Sequence, residues 1–434
     1  MRIAVIGSGI GGLSAAWLLS RRHEVVLYEA NDYLGGHTDT HRVEVDGRTL
    51  DVDTGFIVHN PTNYPLLTRL FEELGVASQP TTMGFSVQDE RSGLEYNATS
   101  LDALFCQRRN LASPRFWGML RDLVRFYREA PALLDLDGPG PTLGEYLDAH
   151  GHGDAFRDQH LVPMASALWS SPTSGVLGFP AKYLVQFMAN HHMLQLAGRP
   201  QWRVVRGGSR RYVEAMAARW DVQVRLSTPV RGVTRDAEGA SVRCDAGSEH
   251  FDQVVLACHG DQALALLDDA TDPERDILGA MAYQPNDTVL HTDASLLPRN
   301  RKAWAAWNAH LPADPAQACT VSYCMRLLQG LPGATPLVVT LNRSDAIDPS
   351  RILRRRSYRH PVYNHASVAA QARRHEIQGV NRTWFAGAYW GWGFHEDGMR
   401  SGVDVARSLG VDWPVAVAMS SDVEPEQSGL VVAQ

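Results

Sequence analysis

The first thirty residues restrict the fold more than any other stretch of the chain. Arg2–Ile6 is a short apolar run rich in β-branched residues, the composition of a parallel strand buried on both faces. It stops at Gly7, and Gly7, Gly9 and Gly12 stand in G-x-G-x-x-G spacing ahead of an Ala-rich apolar stretch, 13–19, that reads as a helix. A second strand, Glu24–Tyr28, follows and ends at an acid, Glu29. In such a unit the first glycine permits the tight turn, the second lets a diphosphate approach the backbone, and the third lets helix and strand pack closely. The turn residues Ser8, Ile10 and Gly11 then lie where the free N–H groups and positive dipole end of the helix meet phosphates. Glu29 is spaced to accept hydrogen bonds from ribose hydroxyls.

The rest of the composition narrows the function by exclusion. The net charge of −7 gives no reason to expect nucleic-acid binding. Five cysteines form no C-x-x-C pair, which argues against a disulfide framework and a zinc site. His191-His192 lacks a companion ligand at useful spacing, so no metal is expected. The chain starts directly on the first strand and has no apolar run of membrane-spanning length. A cytoplasmic location follows as the expectation, with contact to the inner face of the membrane left open.

Further along, Gly35-Gly36 suits a turn on which backbone lies against a ligand. Asp46-Gly47 between alternating residues marks a hairpin, and residues 65–74 read as a helix. The stretch 99–200 is helical and aromatic. In it Phe116-Trp117, Met119-Leu120, Leu123-Val124 and Phe126-Tyr127 recur at helical spacing, with arginines between them. That pattern fits a core-facing amphipathic helix, or a membrane-surface helix at the entrance for a lipophilic substrate. Short strands are expected from 222 to 256, and the basic run 351–359 is expected to be a solvated face, with a phosphate or anionic-lipid contact as the alternative. Near the end, residues 383–402 carry a strand into a loop dense in glycine and aromatic residues, and a helix over 398–409 follows. The tail from about residue 415 has a disordered composition.

Taken together, Gly7 to Glu29, Gly35-Gly36-His37, Asp53-Thr-Gly-Phe-Ile57 and Phe385-Ala-Gly387 through Glu396-Asp-Gly-Met399 resemble the motifs of the flavin-containing amine oxidase superfamily. That superfamily includes monoamine and polyamine oxidases, protoporphyrinogen oxidase and carotenoid desaturases. The phrases Gly-Gly-His-Thr, Asp-Thr-Gly-Phe-Ile-Val and His-Glu-Asp-Gly-Met-Arg-Ser-Gly are most similar to a bacterial subgroup of predicted NAD/FAD-binding proteins, whose gene neighbourhoods hint at lipid chemistry.

The resemblance implies an α/β fold in which a Rossmann-type FAD-binding domain (1–78, 201–265, 375–414) interleaves with an α+β substrate domain (79–200, 266–374). It implies FAD held by Gly7, Ser8, Gly9, Ile10, Gly11, Gly12, Glu29, Gly36, His37, Thr54, Gly55, Phe56, Ile57, Val230, Gly387, Glu396, Gly398 and Met399. The helix at 398 would face the flavin pyrimidine, where negative charge builds on reduction.

Three departures from the family stand out. His37 replaces an arginine, and His395 falls where an aromatic cage residue is common. A histidine there can accept a proton or be structural. Lys302 is the candidate for the family's water-holding lysine. The expected activity is hydride transfer from an apolar, fatty-acyl or isoprenoid-like substrate to flavin N5. The alternatives are an amine or amino-acid oxidase, a non-catalytic flavin- or lipid-binding carrier, and an NAD dehydrogenase that would leave the closing loop unexplained.

Overall fold

The computed structural model describes residues 1–169, 173–314 and 317–413. The tail from residue 415 lies outside the described residues. Two sheets organise the chain. In the first, five strands run parallel in the order Val222–Arg225, Glu24–Tyr28, Arg2–Ile6, Gln253–Leu256, Thr383–Phe385. The opening strand is central because it can be buried on both faces. Ile3 and Val5 point into one core with Leu13, Ala16 and Trp17 of the first helix, while Ala4 and Ile6 point into another with Phe251 and Phe385. All five strands come from segments 1–78, 201–265 and 375–414.

The second sheet has seven strands drawn from 79–200 and 266–374, in the order Ile352–Pro361, Tyr283–His291, Val338–Leu341, Thr320–Cys324, Trp307–Leu311, Phe85–Asp89, Leu94–Asn97. Only the Trp307–Leu311 and Phe85–Asp89 pair is parallel. Helices from 101 to 190 roof this sheet, packing Phe126, Phe156, Leu184 and Phe187 into one core with Val87 and Ala309. The Asp46-Gly47 hairpin forms as expected, with both φ angles positive (55° and 66°), as a type I′ turn requires.

Two expectations are corrected. The basic run at 351–359 is only in part a solvated face: Arg351, Arg354 and Arg355 are exposed, but Ile352–Pro361 is an edge strand paired with Tyr283–His291 and its residues 355–361 line the main cavity. The last helix does not start at 398 but at His395 (His395–Ser408), where Asp397 accepts a hydrogen bond from the Phe394 N–H at 3.0 Å and ends the preceding loop.

Candidate functional site

Of the three glycines that define the opening turn, only Gly9 has room for a side chain. A Cβ on Gly7 (φ 103°) would lie 2.9 Å from the Ala257 carbonyl oxygen, and one on Gly12 would lie 1.9 Å from the Gly7 oxygen. A Cβ on Gly9 would meet nothing within 4 Å. That open space gives onto a cavity of about 1810 Å³ lined by Gly7, Ser8, Gly9, Ile10, Gly11 and Glu29, among others. Gly35-Gly36 closes over the turn. The Gly35 N–H donates to the Ser8 carbonyl at 3.1 Å, and Gly36 (φ 59°) approaches Gly9 so nearly that a Cβ would sit 3.1 Å from its Cα. Glu29 is already held, accepting from the Ser8 N–H at 2.9 Å and hydroxyl and from the Asn31 N–H and side-chain amide, both at 2.8 Å. These four bonds fix the carboxylate in place, and Glu29 lines the same cavity as Thr228, Pro229 and Val230.

Head and tail of the chain meet at small residues. A Cβ on Gly402 would fall 2.1 Å from Ser14 Oγ, one on Gly398 would fall 2.7 Å from Ile10 Cγ2, and one on Gly11 would fall 3.3 Å from both the Gly387 nitrogen and the Gly398 oxygen. The first and last helices therefore cross in near-backbone contact. This contact fixes Gly387, which lines the cavity, and places Gly12, Gly398 and Met399 behind its wall. Glu396 also stands behind the wall. Its carboxylate accepts from the Leu66 and Leu67 N–H groups at 2.9 and 3.1 Å and so caps the Pro65–Leu74 helix. Burial pushes its pKa up to about 7.

Thr54, Gly55, Phe56 and Ile57 all line the cavity. The Phe56 N–H donates to the His37 carbonyl at 2.7 Å, and Thr54 Oγ1 lies 2.6 Å from the Tyr358 hydroxyl. His395 stacks on Phe56 with ring centroids 3.8 Å apart, and its Nε2 lies 2.7 Å from the Tyr212 hydroxyl and 3.2 Å from Thr38 Oγ1. Burial lowers its pKa to about 3, so the ring is neutral and its Nε2 is engaged by protein hydroxyls. Lys302 is corrected outright. It is an exposed residue whose Nζ pairs with Asp102 at 2.9 Å, and it does not line the cavity.

Sequence reasoning missed a histidine cluster on the cavity wall. His37 lies with its ring 5.8 Å from His259, 5.4 Å from His360 and 5.1 Å from Tyr358. Strand alternation in the edge strand could have revealed it, because Arg356, Tyr358 and His360 share one face. Arg356 pairs with Asp39 at 2.7 Å and Arg359 with Asp261 at 2.7 Å. Burial, then repulsion from neighbouring imidazoles, lowers His259 and His360 to about 3. Burial also holds His160 and His191 near 4.

These lowered values carry a sign. The unfolded chain takes up protons on these imidazoles near the usual 6.5, whereas the folded chain resists until about 3 to 4, so stability falls as pH drops through that window. Asp53, Glu396 and Asp397, raised to about 6, 7 and 6, act in the opposite direction but are outnumbered. Thermal melts should therefore show Tm falling from pH 7 to pH 5, and a flat or rising Tm would contradict this assignment.

The family model for flavin containing amine oxidoreductases matches residues 10–299. The chain belongs to this family. Its cofactor is FAD, and the residues fit it: the cavity has open space above Gly9, an oriented acid at Glu29, and glycines where the backbone closes on the turn. "Putative flavin-containing monoamine oxidase AofH" of Mycobacterium tuberculosis is 27% identical over 266 residues, covering 59% of this chain and 56% of its own. The chain thus spans about half the length of the curated relatives it matches. Among solved structures, wild-type putrescine oxidase bound to putrescine is 16% identical with a TM-score of 0.68, covering 94% of this chain and 99% of that one. A CLA-producing fatty acid isomerase from P. acnes is 15% identical with a TM-score of 0.66, covering 94% and 98%.

Proposed function

We propose that this flavin-dependent oxidoreductase takes its hydride from an apolar substrate, fatty-acyl or isoprenoid-like in character. The observation that carries the reading is the lining of the cavity away from the opening turn. Leu104, Leu120, Leu123, Met164, Leu168 and Phe187 supply it, and among the described residues Glu29 is the sole acid anywhere on the cavity wall. An ammonium group entering this arm would lose its hydration without meeting a carboxylate, whereas an alkyl chain would gain about 25 cal/mol per Å² of surface removed from water. The fold alone does not decide between these substrates, since it houses both a putrescine oxidase and a fatty acid isomerase.

FAD, when bound, supplies the hydride acceptor at N5. The chain's part is to bind and to exclude water. In this reading Gly9 and the first helix N-terminus receive the diphosphate, Glu29 the ribose and Val230 the adenine. Of the other expected contacts, Gly7, Ser8, Ile10, Gly11, Gly36, His37, Thr54 to Ile57 and Gly387 line the same cavity, whereas Gly12, Glu396, Gly398 and Met399 do not. Phe394 stacks on Phe187 with centroids 5.0 Å apart and keeps the apolar arm dry next to the last helix. The neutral His395 acts as a positioning residue that fixes Phe56 through its stack. We assign the cofactor role to segments 1–78, 201–265 and 375–414 and the substrate role to 79–200 and 266–374.

Anaerobic addition of long-chain unsaturated acyl or isoprenoid compounds should bleach the yellow protein, and a panel of primary amines and amino acids should not. Leu123→Asp should raise KM about tenfold or more by placing a charge in the arm. Bleaching and hydrogen peroxide release with amines alone would replace this reading with that of an amine oxidase.

A further inference from the structure

The apolar arm opens through a rim of unusual composition. Leu101, Val124 and Leu196 line the cavity and yet are 76%, 51% and 72% exposed. Trp117, 48% exposed, lies on the same helix as Val124 (Pro114–Glu129), and its indole N–H donates to the Leu111 carbonyl at 2.9 Å. Leu111 is itself 52% exposed. Scattered single leucines on a surface need no explanation, but a cluster at one cavity mouth does.

The charges around this rim are cationic. Residues 99–130 hold six arginines and three acids in a chain whose net charge is −7. Of those acids, Asp122 is buried, accepting from the Gly153 N–H at 2.9 Å, Asp102 is paired with Arg108 and Lys302, and Glu129 with Arg128. Along the helix, Trp117, Arg121, Val124 and Arg128 follow spacings of four, three and four, which puts them on one stripe. The side chains of Arg121 and Arg128 are 79% and 75% exposed. The opposite side of the helix buries Phe116, Met119 and Phe126, while Leu120, Leu123 and Tyr127 face the cavity. A stripe that alternates large apolar groups with exposed arginines, Arg121 reaching Asp122 at 3.5 Å and Arg128 reaching Glu129 at 2.7 Å, is suited to an interface where acyl chains lie beneath anionic headgroups. No helix among the described residues is long and apolar enough to cross a membrane, so contact through this helix would be peripheral.

We propose that the rim formed by Leu101, Trp117, Val124 and Leu196 docks on an anionic lipid surface, so that the mouth of the cavity opens into the bilayer. The proposal rests on the apolar-substrate reading for its purpose but not for its test. The rim's arginines would draw the protein to the surface, and the apolar side chains would enter the headgroup region. A substrate of low water solubility could then pass from lipid to cavity without crossing water.

The test is co-sedimentation of the FAD-loaded protein with vesicles of phosphatidylcholine, alone or mixed with phosphatidylglycerol. The parent should pellet with the mixed vesicles, less so at high salt, and remain in solution with phosphatidylcholine alone. The double variants Leu101→Ser/Leu196→Ser and Arg121→Glu/Arg128→Glu should each weaken partition about tenfold with the flavin absorbance unchanged. A parent that ignores both vesicles would overturn the proposal, as would variants that bind like the parent. A dimer broken by Leu101→Ser/Leu196→Ser in the absence of lipid would also overturn it, by showing that a second copy covers the rim. Bleaching by amines alone would remove the substrate reading and leave vesicle binding to stand or fall separately.

Discussion

Gly9→Val is expected to give a folded protein that is purified without its yellow colour. Gly9 has φ −62° and ψ 170°, an extended conformation that valine adopts without strain, and a Cβ there meets nothing within 4 Å. The fold therefore has no reason to notice the change. The added side chain instead fills the space above the turn, where the backbone N–H groups of the first helix must reach a diphosphate. Retention of FAD should fall about 100-fold or more, equivalent to about 2.8 kcal/mol, with the circular dichroism spectrum and melt close to those of the parent. Gly12→Ala is the contrasting case. Its Cβ would sit 1.9 Å from the Gly7 oxygen and 3.0 Å from the Ala257 Cβ, so helix and strand must separate. That variant should be recovered mainly as aggregate. A Gly9→Val protein carrying a full complement of flavin would show that the diphosphate does not lie over this turn.

The difference between those two glycines marks how far sequence reasoning reached. The strand–turn–helix and its glycine spacing were legible because their causes are local: a left-handed turn, a close packing, a free helix end. The Asp46-Gly47 hairpin was legible for the same reason. What could not be read were groups whose partners are far along the chain. The Glu396 side chain caps a helix 330 positions away, a role that its local sequence does not reveal. His395 finds Tyr212 and Thr38, and its burial follows only from the crossing of the last helix over the first. The basic run faces the cavity because it pairs with Tyr283–His291 as an edge strand, a choice that charge density does not reveal. Of the chain's two lysines, Lys182 and Lys302, the resemblance favours Lys302, but its place on a short 3-10 turn beside Asp102 keeps it off the cavity wall.

Asp53→Ala is expected to be strongly destabilising although it lies outside the opening turn. Asp53 ends the Arg48–Asp53 strand, immediately before the cavity-lining residues Thr54 to Ile57, and is fully buried. Its carboxylate accepts from Thr40 Oγ1 at 2.5 Å, from the Ser209 N–H and hydroxyl at 2.9 Å each, and from Gln329 Nε2 at 2.9 Å. One side chain thus ties the hairpin, the Gly207-Gly208 turn and the end of a substrate-side helix together. Alanine would leave all these donors buried without an acceptor. By comparison with other buried charge networks broken on one side, the loss should be about 3–5 kcal/mol. Asp53→Asn keeps the shape but turns an amide towards donors, so its loss should be roughly half as large. The pH dependence separates the two effects. Burial raises Asp53 to about 6, so the parent's native state holds a proton that the unfolded chain has released above the usual 3.8, and this contribution fades as pH rises from about 4 to 6. The stability gap between parent and Asp53→Asn should narrow over that range in denaturant titrations. An alanine variant within about 1 kcal/mol of the parent would mean that the three segments are held together by their apolar packing and that the carboxylate is incidental.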